Sequence, residues 1–287
     1  MNRKKLLSFL CLAILLIFGL NGCGKNKVTE RNQYPADEIM ELKIDADTWN
    51  TDIMVSSDEK IHISFDGSVS NKDLKPTATL QDGTLSVMQN SSNEGLVDQI
   101  ALGKKGQINI YLPSALVIPI SMNNGIGDIE AGSISTTDFQ LVNSAGYVTF
   151  ADFTANHLKV SSGAGDITVK DADIINSEVI TSSGYVKFSN TIFSGIEIAT
   201  QSGEINLYDA GPEANINLQT GSGDINLNYQ TMPDNLDFGI TSGSKDISVR
   251  FSGAVYTKET TECKQGVIGD GQYKLEVNSD SGTVVVK

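Results

Sequence analysis

The sequence predicts an all-β protein, a single-stranded β-solenoid (β-helix-like) with repeats of about 19 residues and a less regular N-terminal β segment. Three observations predict it. Gly127, Gly146, Gly165, Gly184 and Gly203 stand 19 residues apart, and Gly223 follows at 20. Apolar residues alternate inside each interval: Ile129, Val148, Ile167, Val186, Ile205 and Ile225 lie two places after the glycines, with Ala131, Phe150, Val169, Phe188, Leu207 and Leu227 at four. Met122, Leu141, Val160, Val179, Ile198 and Leu218 lie five places before the glycines, with Ile120, Phe139, Leu158, Ser177, Ile196 and Ile216 at seven. Ser177 alone breaks these columns. Between the two apolar runs sit Ser, Gly, Asn and Thr, the residues of turns. A period of two inside a period of 19 makes each repeat a strand, a glycine turn, a second strand and a looser return. No repeat can bury its apolar face alone, so the units must stack. A 3.6-residue stripe is missing, which excludes helical repeats and coiled coils.

Taken in chain order, residues 1–22 read as a lipoprotein signal peptide. Arg3, Lys4 and Lys5 precede an apolar run over 6–20, about the length a secretory signal needs and short for a membrane span. Leu20-Asn21-Gly22-Cys23 resembles the bacterial lipobox, which makes Cys23 the expected lipidation site. Residues 23–37 read as a lipidated tether, polar and without an apolar period. Residues 38–287 are the solenoid domain: an irregular part over 38–119, regular repeats over 120–250, and a last rung with a loop over 251–287. Ile44 and Ala46, then Ile53 and Val55, are expected to form a first rung around DTWNTD. IHISF, TLSVMQ and INIYLP within 61–112 are strand-like and are expected to close the N-terminal end, since an open stack leaves unpaired edges. Phe238 and Ile240 with Ile247 and Val249, then Leu275 and Val277 with Val284 and Val286, read as the final rungs. The segment 252–273 between them forms a loop or hairpin, and Lys287 ends the last strand as a charged gatekeeper.

The formal charge is −14, and removing residues 1–22 takes away three positive charges and no acid, leaving −17. That balance argues against nucleic acid as a partner and against adsorption to anionic lipid. With Cys11 in the signal and Cys23 acylated, Cys263 remains alone, so no intramolecular disulfide holds the domain.

The stretch SSGAGDITVK, residues 161–170, has the look of a phosphate loop, but it leads into a strand rather than a helix, and the Lys-Ser/Thr pair of a P-loop is missing. Asp128, Asp166, Glu204, Asp224 and Asp246 follow the turns as in calcium repeats. Here, however, the slot alternates Asp128, Tyr147, Asp166, Tyr185, Glu204, which keeps like charges off neighbouring strands. Glu204 and Asp224 alone fall on adjacent rungs, and they are the one candidate pair for an ion; otherwise no metal or cofactor is expected. Asp171, Asp173 and Glu178 read as a solvated return loop. His62 and His157 belong to no catalytic motif, so no enzymatic activity is expected. Tyr147 and Tyr185, with Tyr208 and Tyr229 near them, form the candidate binding face.

SSGAGDITV, TGSGDINL and INIYLP together resemble the bacterial family known as domain of unknown function 4097, whose members are candidate adhesins with β-solenoid folds. The resemblance covers roughly residues 38–287. It implies an extracytoplasmic, envelope or surface location and a link to envelope-stress regulation, and it carries over no catalytic or binding residues. The leading expectation is a non-enzymatic surface lipoprotein that adheres through the long faces of the stack. Its partners would be the membrane, through the lipid anchor, and a cell-wall polymer, glycan or surface protein. An accessory regulatory lipoprotein of the envelope-stress response is the second reading, and a carbohydrate-active β-helix enzyme the third.

Overall fold

The computed structural model describes residues 26–69, 75–89 and 106–287; the signal segment and Cys23 lie outside the described residues. The chain enters through β1 (Asn26–Pro35) and a 3-10 turn, Ala36–Glu38. Then come β2 (Glu41–Ala46), β3 (Asn50–Val55), β4 (Lys60–Val69), β5 (Thr77–Gln81), β6 (Thr84–Met88) and β7 (Gly106–Leu112). The regular part holds β8 (Ile120–Asn124), β9 (Ile129–Gly132), β10 (Ser135–Asn143), β11 (Val148–Ala151), β12 (Thr154–Ser162) and β13 (Ile167–Ser183). It continues with β14 (Val186–Ile192), β15 (Gly195–Ser202), β16 (Ile205–Ala210), β17 (Asn215–Thr220) and β18 (Ile225–Tyr229). Last are β19 (Leu236–Ser242), β20 (Ile247–Val249), β21 (Val255–Glu259), β22 (Cys263–Ile268), β23 (Tyr273–Ser279) and β24 (Val284–Val286).

The repeat becomes a stack of parallel ladders within one continuous 24-stranded sheet. Strands before the glycine pair in parallel and in register, Ile120 with Phe139, Leu158, Ser177, Ile196 and Ile216 in turn. Strands after it do the same, Ile129 with Val148, Ile167, Val186, Ile205 and Ile225. Their inward side chains meet in one core, in which Phe139, Phe150, Val169, Phe188 and Leu207 are fully buried. Phe139 packs edge-on against Phe150, with ring centroids 5.1 Å apart. Ser177 is buried in its column, and its hydroxyl has no partner.

A further column marks the corner where each rung turns back. Ser133, Asp152, Asp171, Asn190 and Asp209 follow their glycines by six places, and all have positive φ, between 50° and 59°. Asx side chains tolerate that conformation better than other non-glycine residues do. Asp171 and Asp173 therefore lie within β13 rather than in a loose return, and Asp171 Oδ1 accepts a bond from Asn190 Nδ2 at 2.7 Å.

Both ends depart from the order of the chain. At the C-terminus, β23 pairs with β17 on one side and β19 on the other, and β24 lies between β18 and β20. The last rung in sequence is thus next to last in space. The segment 252–273 does contain a hairpin, β21–β22, whose β22 runs antiparallel along β19 and covers it. Lys287 guards no edge: its N–H donates to Leu227 O, and its carbonyl accepts from the Tyr229 N–H. At the N-terminus, β2 and β3 pair directly with β8 and β9, while β6 and β7 form a rung outside them. Antiparallel β5 covers β6, and antiparallel β4 and then β1 cover β7.

Two details of the N-terminal reading change. The columns of the β2–β3 rung are filled by Leu42 and Ile44 with Thr51 and Ile53, two residues earlier than expected, and Ala46 falls opposite Asn124. Thr51 disguised the match, because it is fully buried in an apolar slot with its hydroxyl unpaired. Replacing Thr51→Val removes that hydroxyl without removing volume and is expected to raise unfolding stability by about 1 kcal/mol, read from the urea midpoint. Second, residues 26–35 are not a free tether. They form β1, with Val28 fully buried and the Tyr34 hydroxyl donating to Ala78 O at 2.7 Å. One buried residue in ten leaves little apolar period to read.

Candidate functional site

The glycine turns are closed by their own backbone. A Cβ on Gly165 would land on the carbonyl oxygen of Gly146, and each turn sits on the one before it in the same way, as Gly184 does on Gly165. Three places before the glycines runs a buried polar column that includes Asn124, Asn143, Ser162, Thr181 and Thr220. Asn124 Nδ2 donates to Gly127 O and to Asn143 Oδ1, each at 2.7 Å, and Asn143 Nδ2 donates to Ser162 Oγ at 3.1 Å.

The acids after the glycines take part in the same stitching. Asp128 Oδ1 accepts the Tyr147 N–H, Asp166 Oδ1 the Tyr185 N–H, and Asp224 Oδ1 the Thr283 N–H, at 3.1, 3.1 and 2.8 Å. Each carboxylate thus satisfies a backbone donor on the next rung, a bond strengthened by its charge. Glu204 and Asp224 do occupy adjacent rungs, since Ile205 and Ile225 are paired. Glu204 Oε1 accepts from Asn226 Nδ2 at 3.1 Å. Among the described residues, no group of three or more His, Cys, Asp or Glu side chains is arranged to hold a metal ion.

The four tyrosines do not form one patch. Tyr147 and Tyr185 project from the turn edge, 61% and 41% exposed, two rungs or about 10 Å apart. Tyr208 lies on the sheet face, its hydroxyl bonded to Asn206 Oδ1 at 2.9 Å and Lys187 Nζ 5.7 Å from its ring centre. Tyr229 is a core residue whose hydroxyl has no partner, and burial pushes its pKa above the ordinary phenol value. His62 is taken up by Asp58, at 2.7 Å, and that hydrogen bond holds the Asp58 carboxyl below its usual pKa.

A feature the sequence did not announce lies on the outer side of the strands before the turn. There the stack carries an open trough of about 700 Å³. One wall is the row Asp138, His157, Asn176, Gly195, Asn215 and Lys274; the other is Gln140, Lys159, Glu178, Glu197, Asn217 and Glu276. Both rows cross six rungs, about 24 Å at the strand spacing. Gly195 leaves the first wall bare at its centre. Lys159 Nζ pairs with Glu178 Oε2 at 2.8 Å, while Glu178 and Glu197 stand side by side as like charges. Acids outnumber lysines four to two along the walls. The inserted C-terminal rung extends the trough by one level, bringing Lys274 and Glu276 up to Asn215 and Asn217.

A parallel solenoid-like stack in one continuous sheet, capped by antiparallel strands and bearing a long polar face, is the class of protein that these observations define. The Toastrack DUF4097 family profile matches residues 39–287, and the chain belongs to that family. No curated protein matches the chain. Among solved structures, a candidate adhesin from Bacteroides fragilis has a TM-score of 0.51 at 19% identity over 91% of this chain and 98% of its own, which shows a shared fold. A candidate adhesin from Parabacteroides merdae scores 0.48 at 12% identity, over 90% and 96% of the two chains. A candidate lipid-binding protein from Parabacteroides distasonis scores 0.46 at 14% identity, over the same shares.

Proposed function

We propose that this protein is a non-enzymatic, extracytoplasmic binding scaffold, lipid-anchored at Cys23, that holds an extended polymer along its long outer face. The trough carries this reading. A stack offers the same two outward positions on every rung, so a ligand with its own regular repeat can meet equivalent contacts along about 24 Å. Amides and carboxylates, such as Asn176, Asn217, Glu197 and Glu276, suit the hydroxyls of a glycan, and the acidic surplus disfavours nucleic acid and other polyanions. A cell-wall glycan fits this chemistry best. Tyr147 and Tyr185 offer a second, separate contact at the turn edge, where sugar rings or a surface protein could stack. The regulatory reading rests on a different surface, the β21–β22 hairpin, where Val255 is 69% exposed.

The test is co-sedimentation of residues 26–287 with purified cell-wall polymer, using Glu197→Lys/Glu276→Lys and Tyr147→Ala/Tyr185→Ala variants. Loss of binding in the lysine variant alone is the expected result. Loss in the tyrosine variant alone moves the site to the turn edge. Binding unchanged in both, or absent from the unaltered protein, contradicts adhesion through the long faces.

A further inference from the structure

The chain between the expected acyl anchor and the first strand is very short. Gly24 and Lys25 are the only residues between Cys23 and Asn26, where β1 begins. Three extended residues reach at most about 10 Å, whereas the 14 residues of a free tether would reach about 48 Å. The headgroup layer itself is about 5–8 Å thick on each side of a bilayer. An acylated Cys23 therefore holds Asn26 at the headgroup boundary.

Asn26 cannot drift from the domain, because β1 is bound along its whole length. Its ten residues pair with β4 from Asn26 opposite Val69 to Pro35 opposite Lys60. Val28 is fully buried, and Lys75 Nζ reaches Glu30 Oε1 at 3.3 Å. In the stack, β1 lies outside β4, which lies outside β7, so Asn26 belongs to the outermost strand of the N-terminal end. Met88, 43% exposed at the end of β6, belongs to the β6–β7 rung at that same end, one strand in from β5, where Thr77 lies opposite it.

We infer that the N-terminal end of the stack is seated on the lipid headgroup surface and that the stack stands upright on the membrane. This inference rests on the acylation of Cys23 proposed above. Lying down along the turn edge is disfavoured, since that would press the row Asp128, Asp166, Glu204 and Asp224 onto an anionic leaflet. Standing up places that row and the trough clear of the headgroups. Ten rungs put β20 about 43 Å above the outermost rung, with the trough running along the membrane normal.

The experiment uses the full-length acylated protein in phosphatidylglycerol–phosphatidylethanolamine vesicles that carry a headgroup quencher. Single fluorophores are attached through Met88→Cys and Val255→Cys in a Cys263→Ser background. Strong quenching at position 88 and none at 255 is the expected result, and Val28→Asp, which frees β1 as a long tether, should abolish quenching at 88 without releasing the protein. Equal quenching at both positions, or quenching at neither while the protein stays vesicle-bound, overturns the upright seat. Fatty-acid incorporation is measured separately on the unaltered protein and Cys23→Ser. If neither incorporates label, the anchor reading falls and takes the seat with it; acylation with equal quenching sinks the orientation alone.

Discussion

Replacing Val284 with aspartate should destabilise the protein by about 4 kcal/mol or more, whereas the same change at Val249 should cost roughly 1–2 kcal/mol. The two residues lie on adjacent rungs in neighbouring inward columns, Val284 opposite Ile247 and Val249 opposite Val286. Order along the chain would make Val284 the terminal residue and Val249 the interior one. Order in space reverses this: β24 is sandwiched between β18 and β20, and Val284 is fully buried. In β20 both Ile247 and Val249 are only partly buried, because no strand covers its outer edge among the described residues. A carboxylate at position 284 would have no water and no cation, while one at 249 could turn toward solvent. Urea unfolding of the two variants decides between the orders, and a larger loss for Val249→Asp would refute the inserted rung.

Gly165→Ala should be nearly as damaging, at about 2–5 kcal/mol. Gly165 has φ +101°, and an added Cβ would meet both the Gly146 carbonyl and the Gly146 nitrogen, the latter at 3.1 Å. Positive φ alone costs an alanine about 1–2 kcal/mol, and forcing atoms into a closed contact adds typically 1–3 kcal/mol. The turns cannot spread apart, since strands on both sides fix their spacing. Gly211→Ala is the matched control: nothing lies within 4 Å of its added Cβ, and its effect should stay within about 0.5 kcal/mol. Thermal or urea unfolding reads both changes. Equal effects would mean that the glycine column marks loop flexibility rather than stacked turns.

The glycine column and the four apolar columns were legible because each is a packing constraint repeated at a fixed interval. Rung order was not legible. Any two-strand unit with Leu, Val or Ile in the same slots fits any level of the stack, so Leu275 and Val277 look the same in sequence whether they end the stack or enter it. What fixes their level is three-dimensional: β22 folds back over β19, and the chain must then return through the place left beside β17. Thr51 hid the register of the β2–β3 rung by carrying a hydroxyl into an apolar slot. The role of the turn acids was hidden for another reason, since the N–H that Asp166 satisfies belongs to Tyr185, 19 residues away. The trough was invisible because its walls are outward positions, where Asp138, His157, Asn176 and Gly195 share no property that periodicity can detect. The corner column was the readable signal that went unread, with Asp, Asp, Asn and Asp each six places after a glycine.

The claim on which the full length of the site depends is that β23 follows β17 in space and so continues both walls of the trough. Disulfide formation tests it directly in a Cys263→Ser background. Gln219 and Asn278 are direct partners across β17 and β23, and adjacent strands lie about 4.8 Å apart, within reach of a disulfide. Thr241, the partner of Asn278 on the far side, is two rungs from Gln219, about 10 Å, which is beyond reach. Mild oxidation should therefore cross-link Gln219→Cys/Asn278→Cys and leave Gln219→Cys/Thr241→Cys as free thiols. A bond in the second pair and none in the first would show that the rungs follow the chain, and the trough would end at Asn217.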